Sequence, residues 1–155
     1  MSNPLLTALS GIAKDSHLFC LLTDDELARV ADHLETKQYK SGEVIFREGE
    51  PGNFIAIISS GKVSVSKATE FAGKDVILAT NGKGSFIGEL STIDEQPRSA
   101  TVTTLEDTEI LILTREAIED LNRSDPSIGL RIYKGLIRVL GLRLRQSAAR
   151  ISQIF

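Results

Sequence analysis

Cysteine is nearly absent from this chain: Cys20 is the sole one in 155 residues. No internal disulfide can brace such a chain, and a reducing, cytoplasmic setting is expected. Cys20 lies between Phe19 and Leu21, where a small buried packing residue is expected rather than a redox or metal group. Histidine is almost as scarce. His17 and His33 both precede residue 39, so the glycine-punctuated stretch that follows has no imidazole for a metal, and no metal site is expected. Ser91, Ser99 and the scattered carboxylates lack a neighbouring histidine or an acid–base pair, so no enzyme is expected. No run approaches the roughly 18 apolar residues of a membrane span. The opening MSNPLLTALSGIAKDSHLF lacks a basic start followed by a sustained apolar core, so no secretory signal is expected.

Acid is missing from one end only. Up to residue 125 there are 12 Lys and Arg against 21 Asp and Glu; from 126 to 155 there are six basic residues and no acidic one. A basic segment is thus joined to an acidic body, and a solvated helix face that pairs with that body or with a ligand is the expected use. The apolar and charged fractions, 41% and 25%, are those of an ordinary globular domain. A single domain over residues 1–155 is long enough to bury its own core.

Three patterns divide the chain. Residues 1–38 read as an N-terminal helical segment. Leu5, Leu6, Leu9 and Ile12 share one side of a helical turn, and Thr23 with Glu26 forms a capping box. Leu22 and Leu27 make a hydrophobic staple there, ahead of about three turns of amphipathic helix through Leu34. From 39 to 114 the period changes. Short apolar runs (Val44 to Phe46, Phe54 to Ile58, Val63 to Val65, Val76 to Ala79, Ala100 to Leu105, Ile110 to Leu113) alternate with glycine turns. That is the signature of a β jelly roll or a similar barrel. Residues 115–155 return to helix. Thr114 caps a segment containing Ile118 and Leu121, and Asp125 with Pro126 starts a second helix. In it Leu130, Tyr133, Ile137, Leu140, Leu144, Ser147, Ile151 and Ile154 recur at spacings of 3 and 4. This is a seam suited to a second copy, widened by Ile132, Leu136 and Val139. The fold class is α+β, a jelly-roll barrel with N-terminal helices and a C-terminal hinge plus long helix.

The chemistry concentrates in residues 84–102, GSFIGELSTIDEQPRSATV. Glycine turns open it, and a short helix beginning near Gly88 would present unpaired backbone N–H groups to an anion. Nine residues after Glu89, Arg98 offers a planar fork matched to two phosphate oxygens. A carboxylate beside a phosphate would repel it, so Glu89 suits a sugar hydroxyl instead. A mere surface ion pair between Glu89 and Arg98 would contribute roughly 0–1 kcal/mol. Taken with Ser99, Ala100 and the upstream strands, the pattern favours a ligand site.

Phe86, Gly88, Glu89, Leu90, Pro97, Arg98, Ala100 and Val102 together resemble the phosphate-binding cassette of the cyclic nucleotide-binding domain family. Ser99 is similar to the bacterial catabolite activator form. The spacing of nine between glutamate and arginine resembles that of protein kinase A regulatory subunits, and Gly42, Gly49 and Gly61 also match. The resemblance implies that Glu89 binds a ribose 2′-hydroxyl and Arg98 a cyclic phosphate, with Ile87 and Ser91 among the ligand-binding residues. It implies cAMP or cGMP as ligand, no cofactor, and a final helix that closes as a lid when nucleotide enters. Leu90 and Ile93 would shift and residues 122–126 would swing. The lid residue is expected between Arg143 and Phe155, and Ser99 suits either phosphate or a guanine amine. Ending at Phe155 without a helix-turn-helix, the chain is expected to be a stand-alone form with no DNA-binding domain. Three functions compete: a cyclic nucleotide sensor, expected to be a homodimer and to regulate an unknown effector protein; a nucleotide-free adaptor working through its last helix; and, lowest, an enzyme.

Overall fold

The computed structural model describes residues 3–155. Asn3 caps helix α1 (Pro4–Ala13), its side chain accepting from the Leu5 amide at 3.0 Å. Helix α2 (Asp24–Ala31) opens on the expected capping box. Thr23 Oγ1 accepts from the Glu26 N–H, and the Glu26 carboxylate accepts from the Thr23 N–H at 2.8 Å. At eight residues α2 is shorter than the three turns read from its spacing, because the chain turns after Ala31 and Leu34 joins the core from outside the helix. Cys20 is exposed rather than buried. Phe19 points into the core beside it, and the Cys20 thiol donates to the His17 carbonyl at 3.7 Å.

Eight strands follow: β1 (Glu35–Tyr39), β2 (Val44–Phe46), β3 (Phe54–Ser60), β4 (Lys62–Ala68), β5 (Asp75–Gly82), β6 (Phe86–Ile87), β7 (Thr101–Thr104) and β8 (Thr108–Thr114). They form two four-stranded antiparallel sheets, ordered β1-β8-β3-β6 and β2-β7-β4-β5, the layout of a jelly roll. Strand β1, apart from Tyr39, falls inside the stretch that reads as helical from sequence. Four of its five residues are exposed, so no apolar alternation marks it; pairing with β8 makes it a strand.

The run Phe54 to Ile58 is apolar at every position because β3 is covered on both faces. Ala56 and Ile58 face the barrel interior with Phe46, Val63, Val102 and Ile110. Ile55 and Ile57 face a second core shared with the helices. The same alternation divides β6: Phe86 turns to the helices and Ile87 into the barrel.

Thr114 caps helix α4 (Arg115–Ser124), accepting from the Ala117 amide at 3.1 Å. Helix α5 (Pro126–Ser152) follows with proline in its first turn. Asp125 stands at its cap position without a side-chain capping bond, since its carboxylate is taken by the Ser127 hydroxyl at 2.7 Å and by Arg29 at 2.5 Å. The Ser127 bond, with Arg29 adding to it, holds this carboxyl below its usual range. Only the first part of α5 is seated. Ile128, Ile132 and Leu136 are buried, each stabilising by about 1.5–3 kcal/mol, and Arg131 pairs with Glu26 at 2.5 Å. Gly135 lets the helix lie directly on the loop before α2, where a Cβ would stand 2.6 Å from the His17 carbonyl oxygen and 2.7 Å from that of Leu18. Gly141, further along, has nothing within 4 Å. Gly135→Ala should therefore cost about 1–3 kcal/mol in chemical denaturation, because the contact is with backbone. Gly141→Ala should be neutral or gain up to about 1 kcal/mol of helix propensity.

Candidate functional site

A cavity of about 560 Å³ lies between the barrel, the cassette and the second half of α5. Nine of the eleven residues singled out from sequence line it: Ile87, Gly88, Glu89, Leu90, Ser91, Arg98, Ser99, Ala100 and Val102. Phe86 and Pro97 do not. Alternation along β6 sends Phe86 into the helical core, and Pro97 sits on an exposed loop. Phe46, Val65, Lys67 and Leu78 complete the barrel wall. Leu140, Arg143, Leu144, Ser147 and Arg150 of α5 form the opposite one.

Gly88 starts the site. Its φ of 81° is left-handed, and a Cβ there would lie 2.5 Å from Arg98 Nη1 and 3.0 Å from the Phe54 carbonyl oxygen. Glycine is required on both counts. The short helix α3 (Glu89–Asp94) follows at once, and its first amides have no intrahelical acceptor.

Arg98 is only 3% exposed. Its guanidinium carbon lies 4.0 Å from the centre of the Phe46 ring and 4.6 Å from that of Phe54, a cation held between aromatic rings. Nη1 donates to the Gly88 carbonyl at 2.9 Å and to Ser91 Oγ at 2.8 Å, and Nη2 donates to the Phe54 carbonyl at 3.1 Å. Nε is buried without a partner among the described residues. Burial draws the guanidinium pKa down, and Glu89 and Glu50 oppose that shift. The sequence suggests a fork open to an anion; the fold instead commits most of that fork to protein oxygens. A buried charge with no carboxylate in direct contact requires such acceptors.

Glu89 is 5% exposed and faces α5. Arg143 Nη1 donates to its Oε1 at 2.6 Å, and Arg143 Nη2 donates to the Phe86 carbonyl at 2.8 Å. The same guanidinium lies 5.0 Å from the centre of the Phe86 ring. Phe86 therefore serves as a platform behind the cavity wall. Lys67 is drawn to the rim by Glu48 at 2.8 Å and the Ser99 carbonyl at 2.9 Å. Lys67, Arg98, Arg143 and Arg150 surround the cavity with Glu89 as the one carboxylate among its lining residues, so its field favours an anion.

Sequence reading bounded the lid only as lying between Arg143 and Phe155. Phe155, the aromatic in that range, is fully exposed and does not line the cavity. Within that range, Arg143 is the residue bonded to the cassette, through Glu89 and the Phe86 carbonyl. The absence of acid after residue 125 was its trace in the sequence, but nothing local distinguishes it from Arg138 or Arg145.

The fold and site define a class: a jelly-roll domain whose charged cavity is roofed by its own C-terminal helix. The sequence model of the cyclic nucleotide-binding domain matches residues 36–125. A cyclic AMP receptor protein of Thermus thermophilus is 34% identical over 134 residues, covering 86% of this chain and 60% of that protein. Human cGMP-dependent protein kinase 2 is 36% identical over 96 residues, covering 61% of this chain and 13% of the kinase. The crystal structure of a cyclic nucleotide-binding domain from Methylobacillus flagellatus superposes with a TM-score of 0.89 at 26% identity, covering 99% of this chain and 85% of that one. The chain belongs to the cyclic nucleotide-binding domain family. It spans less than two thirds of the Thermus receptor and a small part of the kinase.

Removing Arg143 would strand the Glu89 carboxylate and untie the second half of α5. Arg143→Ala should cost about 1–3 kcal/mol and speed amide hydrogen exchange over residues 140–152, leaving residues 128–136 near their original rates.

Proposed function

We propose that this chain is a cyclic nucleotide sensor, with cAMP the favoured ligand, that links ligand capture to movement of α5. The observation that carries the reading is the convergence of Gly88, Glu89, Ser91, Arg98, Ser99 and Ala100 on one cationic cavity. Its volume lies within the range of small-molecule sites. Phosphate enters beside Arg98 and exchanges the guanidinium's protein acceptors for its own oxygens. Glu89 keeps Oε1 on Arg143 and turns Oε2 to the ribose 2′-hydroxyl. Ribose capture and the position of α5 thus share one carboxylate, the differential contact that a ligand-driven shift needs. Relatives named for cAMP and for cGMP both support the ligand class. The role is regulatory rather than catalytic, and the effector is a separate protein or a further part of a longer chain.

A second reading, a nucleotide-free adaptor of the same fold, draws on one specific observation: the protein already satisfies most of the Arg98 fork. Titration calorimetry with cAMP and cGMP separates the two. Binding in the micromolar range or tighter is expected for the sensor, whereas a folded protein giving no heat with either nucleotide leaves only the adaptor. Arg98→Ala should weaken binding by about 2–5 kcal/mol and also lower the melting temperature, since the same side chain ties α3 to Phe54.

The sensor is a homodimer through α5. Leu130, Ile137, Leu144 and Ile151 recur every seven residues, and each is more than half exposed in the single chain. An apolar stripe of that spacing fits a second copy of the same helix. Sedimentation equilibrium should give a dimer for the wild type and a monomer for Ile137→Lys; a wild-type monomer would remove the seam from the reading.

A further inference from the structure

Helix α3 is gripped at both ends by arginines that belong to different elements. At its start Arg98, facing the cavity, holds Gly88 and Ser91. At its end Arg115, the first residue of α4, donates from Nε to the Thr92 carbonyl at 2.9 Å and from Nη2 to the Ser91 carbonyl at 2.9 Å. The same Nη2 donates to the Gly52 carbonyl at 3.1 Å, and Nη1 lies 3.4 Å from the Glu95 carboxylate. The last carbonyls of a helix have no intrahelical donor, and in six residues they make up most of the helix. The Ser91 carbonyl here already accepts from the Glu95 N–H at 3.1 Å, so Arg115 gives Thr92 its donor and Ser91 a second, and its charge opposes the negative pole of the helix end.

Gly52 joins the two arginines. Its carbonyl serves Arg115, and a Cβ on it would lie 2.1 Å from Arg98 Nε. Beyond Arg115 the path continues through α4 into α5. The Arg115 amide bonds the Asn53 carbonyl at 2.7 Å, Asn122 Nδ2 donates to the Tyr133 hydroxyl at 3.1 Å, and Gly129 is pressed onto Asn122. Helix α3 is therefore a short rod, with a ligand-facing guanidinium at one end and the root of the helical arm at the other.

We infer that Arg115 is the positioning residue that carries a displacement of α3 into α4, through its bonds to the Ser91, Thr92 and Gly52 carbonyls. The inference rests on the sensor reading above and adds to it a route distinct from the Glu89–Arg143 contact, which reaches the far part of α5. When ligand draws Arg98 away from Gly88 and Ser91, α3 shifts and its terminal carbonyls take Arg115 with them. Arginine is needed for this. Lysine keeps the cation at the helix end but has no planar fork to span three carbonyls.

Hydrogen exchange with and without saturating cAMP or cGMP, beside calorimetry, tests the inference on wild type, Arg115→Ala and Arg115→Lys. In the wild type, ligand should alter exchange in residues 89–94, 117–124 and 140–152. In both variants the dissociation constant should stay within about tenfold of wild type. The change over 89–94 should remain and most of the change over 117–124 should vanish. A purely structural role would loosen α4 equally with and without ligand. Should Arg115→Ala fail to fold, Arg115→Lys carries the comparison. A full response over 117–124 in Arg115→Lys, or a wild type whose ligand response stops at residue 94, overturns the inference and leaves the sensor reading standing. No binding by the wild type overturns both.

Discussion

Burial of one positive charge organises the site. With 3% of its surface exposed, Arg98 must find oxygen acceptors inside the protein. It takes the carbonyls of Gly88 and Phe54 and the hydroxyl of Ser91, and it lies against the rings of Phe46 and Phe54. Each of those contacts constrains something else. Gly88 and Gly52 must lack side chains to let the guanidinium pass. Helix α3 must begin where its first carbonyl and first hydroxyl can face inward. The edge of the barrel and the cassette are thereby fixed relative to one another before any ligand is considered.

The long helix answers to two different demands along its length. Its first part is a core element, seated by Ile128, Ile132 and Leu136 and tied to α2 through Arg131 and Glu26. The Thr23 backbone bond, with Arg131 adding to it, keeps the Glu26 carboxyl below its usual range. The second part has little burial of its own, and Arg143 is its attachment to the cassette. The helix thus divides into a root set by apolar packing and a tip held by a charged contact to the cassette.

The uneven charge of the chain follows from the same arrangement. The acid-free segment after residue 125 supplies cations to carboxylates of the body, Arg131 to Glu26 and Arg143 to Glu89. Its remaining charges stay in solvent or, as with Arg150, face the cavity. Among the described residues no helix is long and apolar enough to cross a membrane.

The barrel, the two capped helices and the cassette were legible because each depends on neighbours in sequence. Thr23 and Glu26 cap a helix three residues apart, glycines permit turns wherever they stand, and Gly88, Glu89 and Arg98 form a pattern within eleven residues. Strand β1 was hidden because its side chains face solvent and only the hydrogen bonds to β8 define it. Cys20 looked buried by its apolar neighbours, yet a tight turn carried Phe19 inward and left the thiol outside. Strand β1 apart, local pattern determined which residues make elements and which make the cassette. What only the tertiary structure decided was who answers them: Arg143 on Glu89 from 54 residues away, Arg115 on α3, and Arg98 turned onto carbonyls. The reason is physical. Turns, caps and strand periods are set by short-range backbone geometry, whereas the partner of a buried charge depends on which distant element packing brings within reach.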